Sequence, residues 1–274
     1  PVASCQLPVA SCQLPVASCQ LPVARPRPGL PARPALLRGR QTQALGPGPT
    51  RKFVTKPARG NVVNEYVKGL EMELSAIERG FREEQSRARA DYDRLDRERA
   101  TKLAHLAYRS EVYQVRMYAV FLLGHLSQDR DERAFLRDNV ANDGNWRVQE
   151  VLAKAFDEFC ATRGYEAALP VIDEWLVDAR PNVRRAVTEG LRIWTSRPYF
   201  RDNPCEAIRR LARLRGNASE YVRRSVGNAL RDISKKHPEM VAAELGTWDL
   251  AGKDVRQVHR LASRFIERPA GAEG

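Results

Sequence analysis

The chain has 274 residues, 43% of them hydrophobic, which is enough for one repeat array or two small domains with a core. Its longest apolar run, Tyr118 to Leu123, is far short of a membrane span, so a soluble protein with no membrane partner is expected. The formal charge of +12 is uneven: residues 1–60 hold nine Arg and Lys and no acid, leaving 37 basic against 34 acidic residues in the rest. A high pI is therefore weak ground for nucleic-acid binding by the folded part, and any such case rests on where charges are placed.

Residues 1–21 read Pro-Val-Ala-Ser-Cys-Gln-Leu three times without change. They lack the cationic start and small-residue cleavage pattern of a secretory signal. Residues 22–60 are rich in Pro, Gly and Arg, and the whole of 1–60 is expected to be a disordered basic tail. The same composition leaves an organellar transit peptide open as a second reading. Three of the five cysteines lie in the heptapeptides, and neither Cys160 nor Cys205 has a CxxC partner. The four histidines are scattered. No disulfide framework, metal site or cofactor is expected, and a reducing, cytoplasmic setting is, nucleoid-associated if the source is bacterial.

From Asn61 the character changes. Val63, Tyr66, Val67, Leu70, Leu74 and Ile77 follow helical spacing. Residues 82–100 are dense in charge, with Tyr92 and Leu95 as sparse apolar points, and read equally as a solvated helix or a charged connection. Residues 61–110 thus form a helical, charged extension, and the array proper spans 111–268. There the spacing predicts helices over about 111–127, 130–140, 146–162, 165–178, 182–196, 204–215, 219–236, 238–245 and 253–267. Asn145 suits an N-cap, and Pro181, Pro204 and Pro238 suit first turns. No segment alternates as a strand does.

Four of these helices share a frame: Val115-Arg116-Met117, Val148-Gln149-Glu150, Val183-Arg184-Arg185 and Val222-Arg223-Arg224. The frame recurs after 33, 35 and 39 residues. Such a period predicts an all-α HEAT-like or armadillo-like solenoid, expected to be a monomer. On each helix the apolar stripe leaves one polar row. The rows are Trp146, Glu150, Lys154 and Asp157; then Arg185, Glu189 and Arg192; then Arg224, Asn228 and Arg231. Stacked repeats set these rows side by side, acids towards one end and arginines towards the other. Arginines on successive turns suit phosphates, and an aromatic with a carboxylate one turn away suits a cationic group. The plainer reading is a solvated surface of inter-repeat salt bridges. Trp175 and Trp194 read as core.

The segments Asn145–Asp157, Pro181–Trp194 and Tyr221–Pro238 resemble the HEAT-like-repeat DNA alkylation-repair family, the AlkC/AlkD type of DNA glycosylase. The resemblance covers about 111–267. It implies a basic concave groove that cradles alkylated duplex DNA and releases purines carrying a positive charge from N3 or N7 alkylation. It implies that Trp146 and Glu150 match the family's aromatic-xxx-acid pair, Trp146 against the lesion and Glu150 stabilising the sugar cation. Arg185 matches the groove arginine and Arg231 a further backbone contact, with Arg192 and Arg224 beside them. Glu189 and Asp157 are second candidates for the carboxylate. Two departures stand out: Asn228 lies where AlkD-type members carry a second lesion-facing tryptophan, and Glu150 replaces an Asp. The alternative expectation is a non-catalytic helical-repeat module that binds DNA structure or protein.

Overall fold

The computed structural model describes residues 59–266, with side chains from residue 62, and all of them fall in one unit that begins at Thr55. The expected tail lies almost wholly outside the described residues. Twelve α-helices and two short 3-10 turns, with no strand, make up the described part. The helices are α1 Arg59–Leu74, α2 Arg82–Arg94, α3 Arg97–Ala107, α4 Tyr113–Leu126, α5 Arg130–Asp138 and α6 Trp146–Arg163. Then follow α7 Leu169–Leu176, α8 Pro181–Trp194, α9 Pro204–Ala212, α10 Glu220–Ser234, α11 Pro238–Leu245 and α12 Lys253–Ala262. The architecture is an all-α helical-repeat solenoid.

Starts and stops follow local chemistry. The side chains of Asp96, Asp129 and Asn145 accept hydrogen bonds from the first-turn amides of α3, α5 and α6. Pro181, Pro204 and Pro238 open α8, α9 and α11, where a missing N–H costs nothing. Gly164 ends α6 at φ +87°, a conformation that glycine adopts without steric cost.

The even-numbered helices pack in succession, α2 on α4, α4 on α6, α6 on α8, α8 on α10 and α10 on α12, as one continuous layer. The odd-numbered helices form a second layer against it. The frame valines Val115, Val148, Val183 and Val222 are fully buried between the layers. The apolar run 118–123 belongs to α4, which is packed by α1, α2, α3, α5 and α6 and is therefore buried nearly all round. No described helix is long and apolar enough to cross a membrane. Phe156 stacks on Trp175 with ring centroids 4.1 Å apart, and Trp194 lies against Phe156, Tyr165 and Phe200, so both tryptophans are core.

The residue after three of the four frame valines has a job of its own, Arg184 being the exception, with its buried Nε unpartnered. It reaches back to the carbonyls of the loop that precedes its helix. Arg116 donates to Ser110 and Glu111, Gln149 to Asp143, and Arg223 to Asn217 and Ala218. Arg256, in a fifth copy of the frame at Val255, does the same to Leu250 and Ala251. At these four copies the valine and the polar residue after it couple burial to loop closure, which satisfies carbonyls that would otherwise lack partners.

The charged stretch 82–100 is helical throughout most of its length. It holds its place by sending Ala88 and Asp91 of α2 into the interior. Asp91 accepts hydrogen bonds from Tyr66, Tyr118 and Arg94 at 2.7–2.8 Å, so the buried carboxylate is fully engaged. Glu84, on the same stripe, is enclosed as well, with both carboxylate oxygens unpartnered by any other side chain. Gly124 of α4 meets α6 so closely that an added Cβ would stand 2.9 Å from the Cα of Ala155.

Candidate functional site

The site lies on the exposed face of the continuous layer, where the N-terminal halves of α6, α8 and α10 run side by side. Trp146 is the first residue of α6 and is 60% exposed, unlike the three other tryptophans. Glu150 follows one turn later, on the same side of the helix. Arg185 of α8 donates from Nη2 to Glu150 Oε1 at 3.1 Å. The same guanidinium lies 4.9 Å from the ring centroid of Tyr221, at the start of α10. Arg185 is thus held between a carboxylate and an aromatic face, with its own side chain only 14% exposed. Burial raises the Tyr221 phenol above its ordinary range, opposed by the charge of Arg185.

The second tier is more heavily bonded. Glu189 accepts from the hydroxyl of Ser225 at 2.8 Å and lies 3.9 Å from Arg185. Arg192 joins Glu189 at 3.3 Å and Asp232 at 2.5 Å. Arg231 and Lys235 converge on the same Asp232 at 3.4 and 3.1 Å. Burial opposes ionisation of Asp232, but the Lys235 hydrogen bond and the charges of Arg192 and Arg231 hold its carboxyl below the usual range. Arg224 is exposed and pairs with Glu220 at 2.9 Å. Asn228 is half-buried and makes no side-chain hydrogen bond among the described residues.

The structure therefore brings Glu150 and Arg185 into contact, and Glu189 with Arg192. Asp157 points elsewhere. It accepts from Trp194 Nε1 at 2.6 Å and from the Tyr165 hydroxyl at 2.9 Å, inside the aromatic cluster. Burial, and then the charge of Asp157, raise the Tyr165 phenol far above its ordinary value.

Several neighbours escape a reading of single helices. Tyr221 and Asp232 matter only through contacts between helices. Arg147 stacks its guanidinium 4.5 Å from the Trp146 ring and 5.3 Å from that of Tyr113, the first residue of α4. A signal existed: an aromatic stands one or two residues before the frame valine at Tyr113, Trp146 and Tyr221. On α12, Lys253, Arg256 and Arg260 follow at spacings of three and four, and Arg264 continues them. All four are exposed, and none has a carboxylate partner among the described residues. Lys253, Arg256 and Arg260 border a depression of about 690 Å³ that also includes Glu220, Arg223, Asp254 and Gln257.

A family model described as DNA alkylation repair enzyme matches residues 54–265. The chain belongs to the DNA alkylation repair enzyme family. Its structure is similar to that of AlkD2 from Streptococcus mutans, with a TM-score of 0.74 and 61% identity over 75% of this chain and all of that one. A predicted DNA alkylation repair enzyme from Enterococcus faecalis shares the fold, at a TM-score of 0.51 and 16% identity over 80% of this chain and all of that one. Over 78 residues, 27% of this chain, it is 36% identical to YhaZ, an uncharacterized protein of Bacillus subtilis strain 168. The chain spans about a fifth of the length of that curated relative. DNA alkylation repair is the role of this family, and the helical-repeat fold is common to these solved structures.

Proposed function

We propose that this chain is a DNA glycosylase that releases positively charged N3- or N7-alkylated purines from duplex DNA. The observation that carries this reading is the exposed indole of Trp146 one turn from Glu150, with Arg185 alongside. Trp146 offers an electron-rich face to a cationic base. Cleavage of the C1′–N bond sends its electron pair into the base, which becomes neutral, and leaves an oxocarbenium ion on the sugar. Glu150 stabilises that charge and orients a water. Water adds to C1′ and loses a proton, giving an abasic site. The alkylated base is already a good leaving group, so the reaction needs no strong general acid and calls for no metal or cofactor.

Arg185, Arg224 and Arg231, with Arg192, hold the phosphates of the duplex. Each now faces a carboxylate, so binding exchanges that partner for a phosphate. The reading assigns Asn228 the edge of the lesion site, with one aromatic wall fewer than a tryptophan would give.

A second reading is favoured by the Arg185–Glu150 pair itself. A carboxylate already joined to a guanidinium suits a non-catalytic module that binds duplex DNA and whose arginines are set by acids. Release of methylated bases from methylated duplex separates the two. Glu150→Gln should cut release by about a hundredfold or more while duplex binding stays close to wild type. Release that survives the substitution keeps the enzyme and moves the carboxylate to Glu189. Duplex binding without any release by the wild type would establish the non-catalytic reading.

A further inference from the structure

The face of Trp146 is not vacant. Arg147 lays its guanidinium 4.5 Å from the indole centroid and 5.3 Å from the Tyr113 ring, so one cation is shared by two aromatic faces. The two rings are the first residues of neighbouring helices, α4 and α6, which face each other along their length. The backbone amide of Arg147 is fixed by Asn145 Oδ1 at 2.9 Å, so the side chain leaves the helix at a set point. Its charge also stands apart from the phosphate-facing arginines of this face, as does that of Lys154, which lies over the Phe81 ring. Arg185, Arg192, Arg224 and Arg231 each have a carboxylate within 4 Å, whereas Arg147 has none among the described residues. An arginine held by π faces alone keeps its full charge, and a cation stacked on a ring both uses that ring's field and repels a second cation.

We propose that Arg147 is a specificity-determining residue, a built-in cation seated on Trp146 that a cationic base must displace or oppose. This rests on the reading of Trp146 as the aromatic that meets the base. Its consequence is a threshold. Trp146 is withheld from small cations, and becomes available when Arg147 is drawn away, for which a duplex phosphate beside α6 is the natural partner because Arg147 has no carboxylate to surrender. Arg147 touches no reacting atom in this scheme. It sets what reaches the indole.

The test uses the full chain and two substitutions, Arg147→Met, which keeps bulk and removes charge, and Arg147→Lys, which keeps charge. Trp175, Trp194 and Trp248 are buried, so quenching by a dissolved aromatic reports chiefly on Trp146. The probes are 1-methylnicotinamide, a cationic ring, and nicotinamide, its neutral counterpart. The expected result is a roughly two- to fivefold rise in quenching by the cationic probe in Arg147→Met, from the size of an exposed cation–π contact. Quenching by the neutral probe should change less, and Arg147→Lys should stay near wild type. Equal quenching of wild type and Arg147→Met by the cationic probe would overturn the proposal. A parallel comparison of methylated and unmodified duplex should show Arg147→Met preferring methylated DNA by a similar factor more than wild type does. A fall in that preference would mean that Arg147 supports the lesion site, and would overturn the proposal too. If wild type releases no methylated base, the glycosylase reading fails, and the quenching result still decides whether Arg147 guards Trp146.

Discussion

At the scale of single residues, exposure separates carboxylates that face solvent from carboxylates that hold the structure. Glu150 is 52% exposed at its side chain, and Asp157 is 17% exposed and bonded to two buried aromatics. Asp157→Ala should leave the Trp194 N–H and the Tyr165 hydroxyl without partners, at about 1–3 kcal/mol. For a domain of this size that corresponds to a melting temperature lower by roughly 2–10 °C. Thermal unfolding checks it, and an unchanged melting temperature would dismiss the structural role. Glu84 is the opposite case, a fully enclosed carboxyl whose burial raises its pKa. Between the ordinary glutamate value and this raised one, the folded chain binds the extra proton. The cost of Glu84 is therefore least below that window, grows as pH rises through it, and stays in full above it. Glu84→Met should stabilise the fold at neutral pH by about 1–3 kcal/mol, and the gain over wild type should shrink on acidification. Denaturant midpoints at pH 7 and pH 4.5 measure both, and a gain that grows towards acid would contradict the argument.

At the scale of elements, the legible part of the sequence is whatever one helix says about itself. The frame valines are buried because they repeat on a helical face, and the ends at Asn145, Pro181, Pro204 and Pro238 follow from backbone chemistry confined to a few residues. The expected helix at 146–162 is Trp146–Arg163, and that at 204–215 is the shorter Pro204–Ala212, closed by a turn that periodicity does not show. The stretch 82–100 is ambiguous in sequence because its buried groups include two acids, and Asp91 is tolerable inside only because Tyr66 and Tyr118 come from other helices. Of the site, the polar rows are readable, but the seating of Arg185 on Tyr221 and of Arg147 between Tyr113 and Trp146 depends on how helices stack. The frame arginine is readable as polar and not as a clasp. Arg223, 8% exposed, holds the Asn217 and Ala218 carbonyls, Gln257 Oε1 and Asp254. Arg223→Ala should lower stability by about 1–3 kcal/mol and leave duplex affinity at the level its remaining folded fraction allows. Selective loss of DNA binding at full stability would reverse that assignment.

At the scale of the whole molecule, the charge that matters is distributed in two ways. On α6, α8 and α10 the arginines are interleaved with acids, so the face is nearly balanced before anything binds. Past Arg224 the balance shifts towards positive charge, with Asp254 the one acid on α12. Lys253, Arg256, Arg260 and Arg264 line α12 and the turn after it, and Lys253 to Arg260 alone extends roughly 10 Å along the helix axis. A solenoid needs a polar terminal helix for solubility, but mixed charge would serve that need equally well. A row of cations whose one acidic neighbour, Asp254, is already paired with Arg223, reached from the site across Glu220 and Gln257, fits a strand of phosphates leaving the site. Arg256 is partly committed to its loop carbonyls, so the useful substitutions are Lys253→Gln, Arg260→Gln and Arg264→Gln together. In the full chain they should flatten the salt dependence of duplex binding by about one unit of log–log slope for each phosphate that no longer meets a cation. Base release at saturating DNA should hold, because none of the three approaches Trp146 or Glu150. A slope equal to wild type would show that α12 only caps the array, and that the duplex is gripped by α6, α8 and α10 alone or by the basic residues before Asn61.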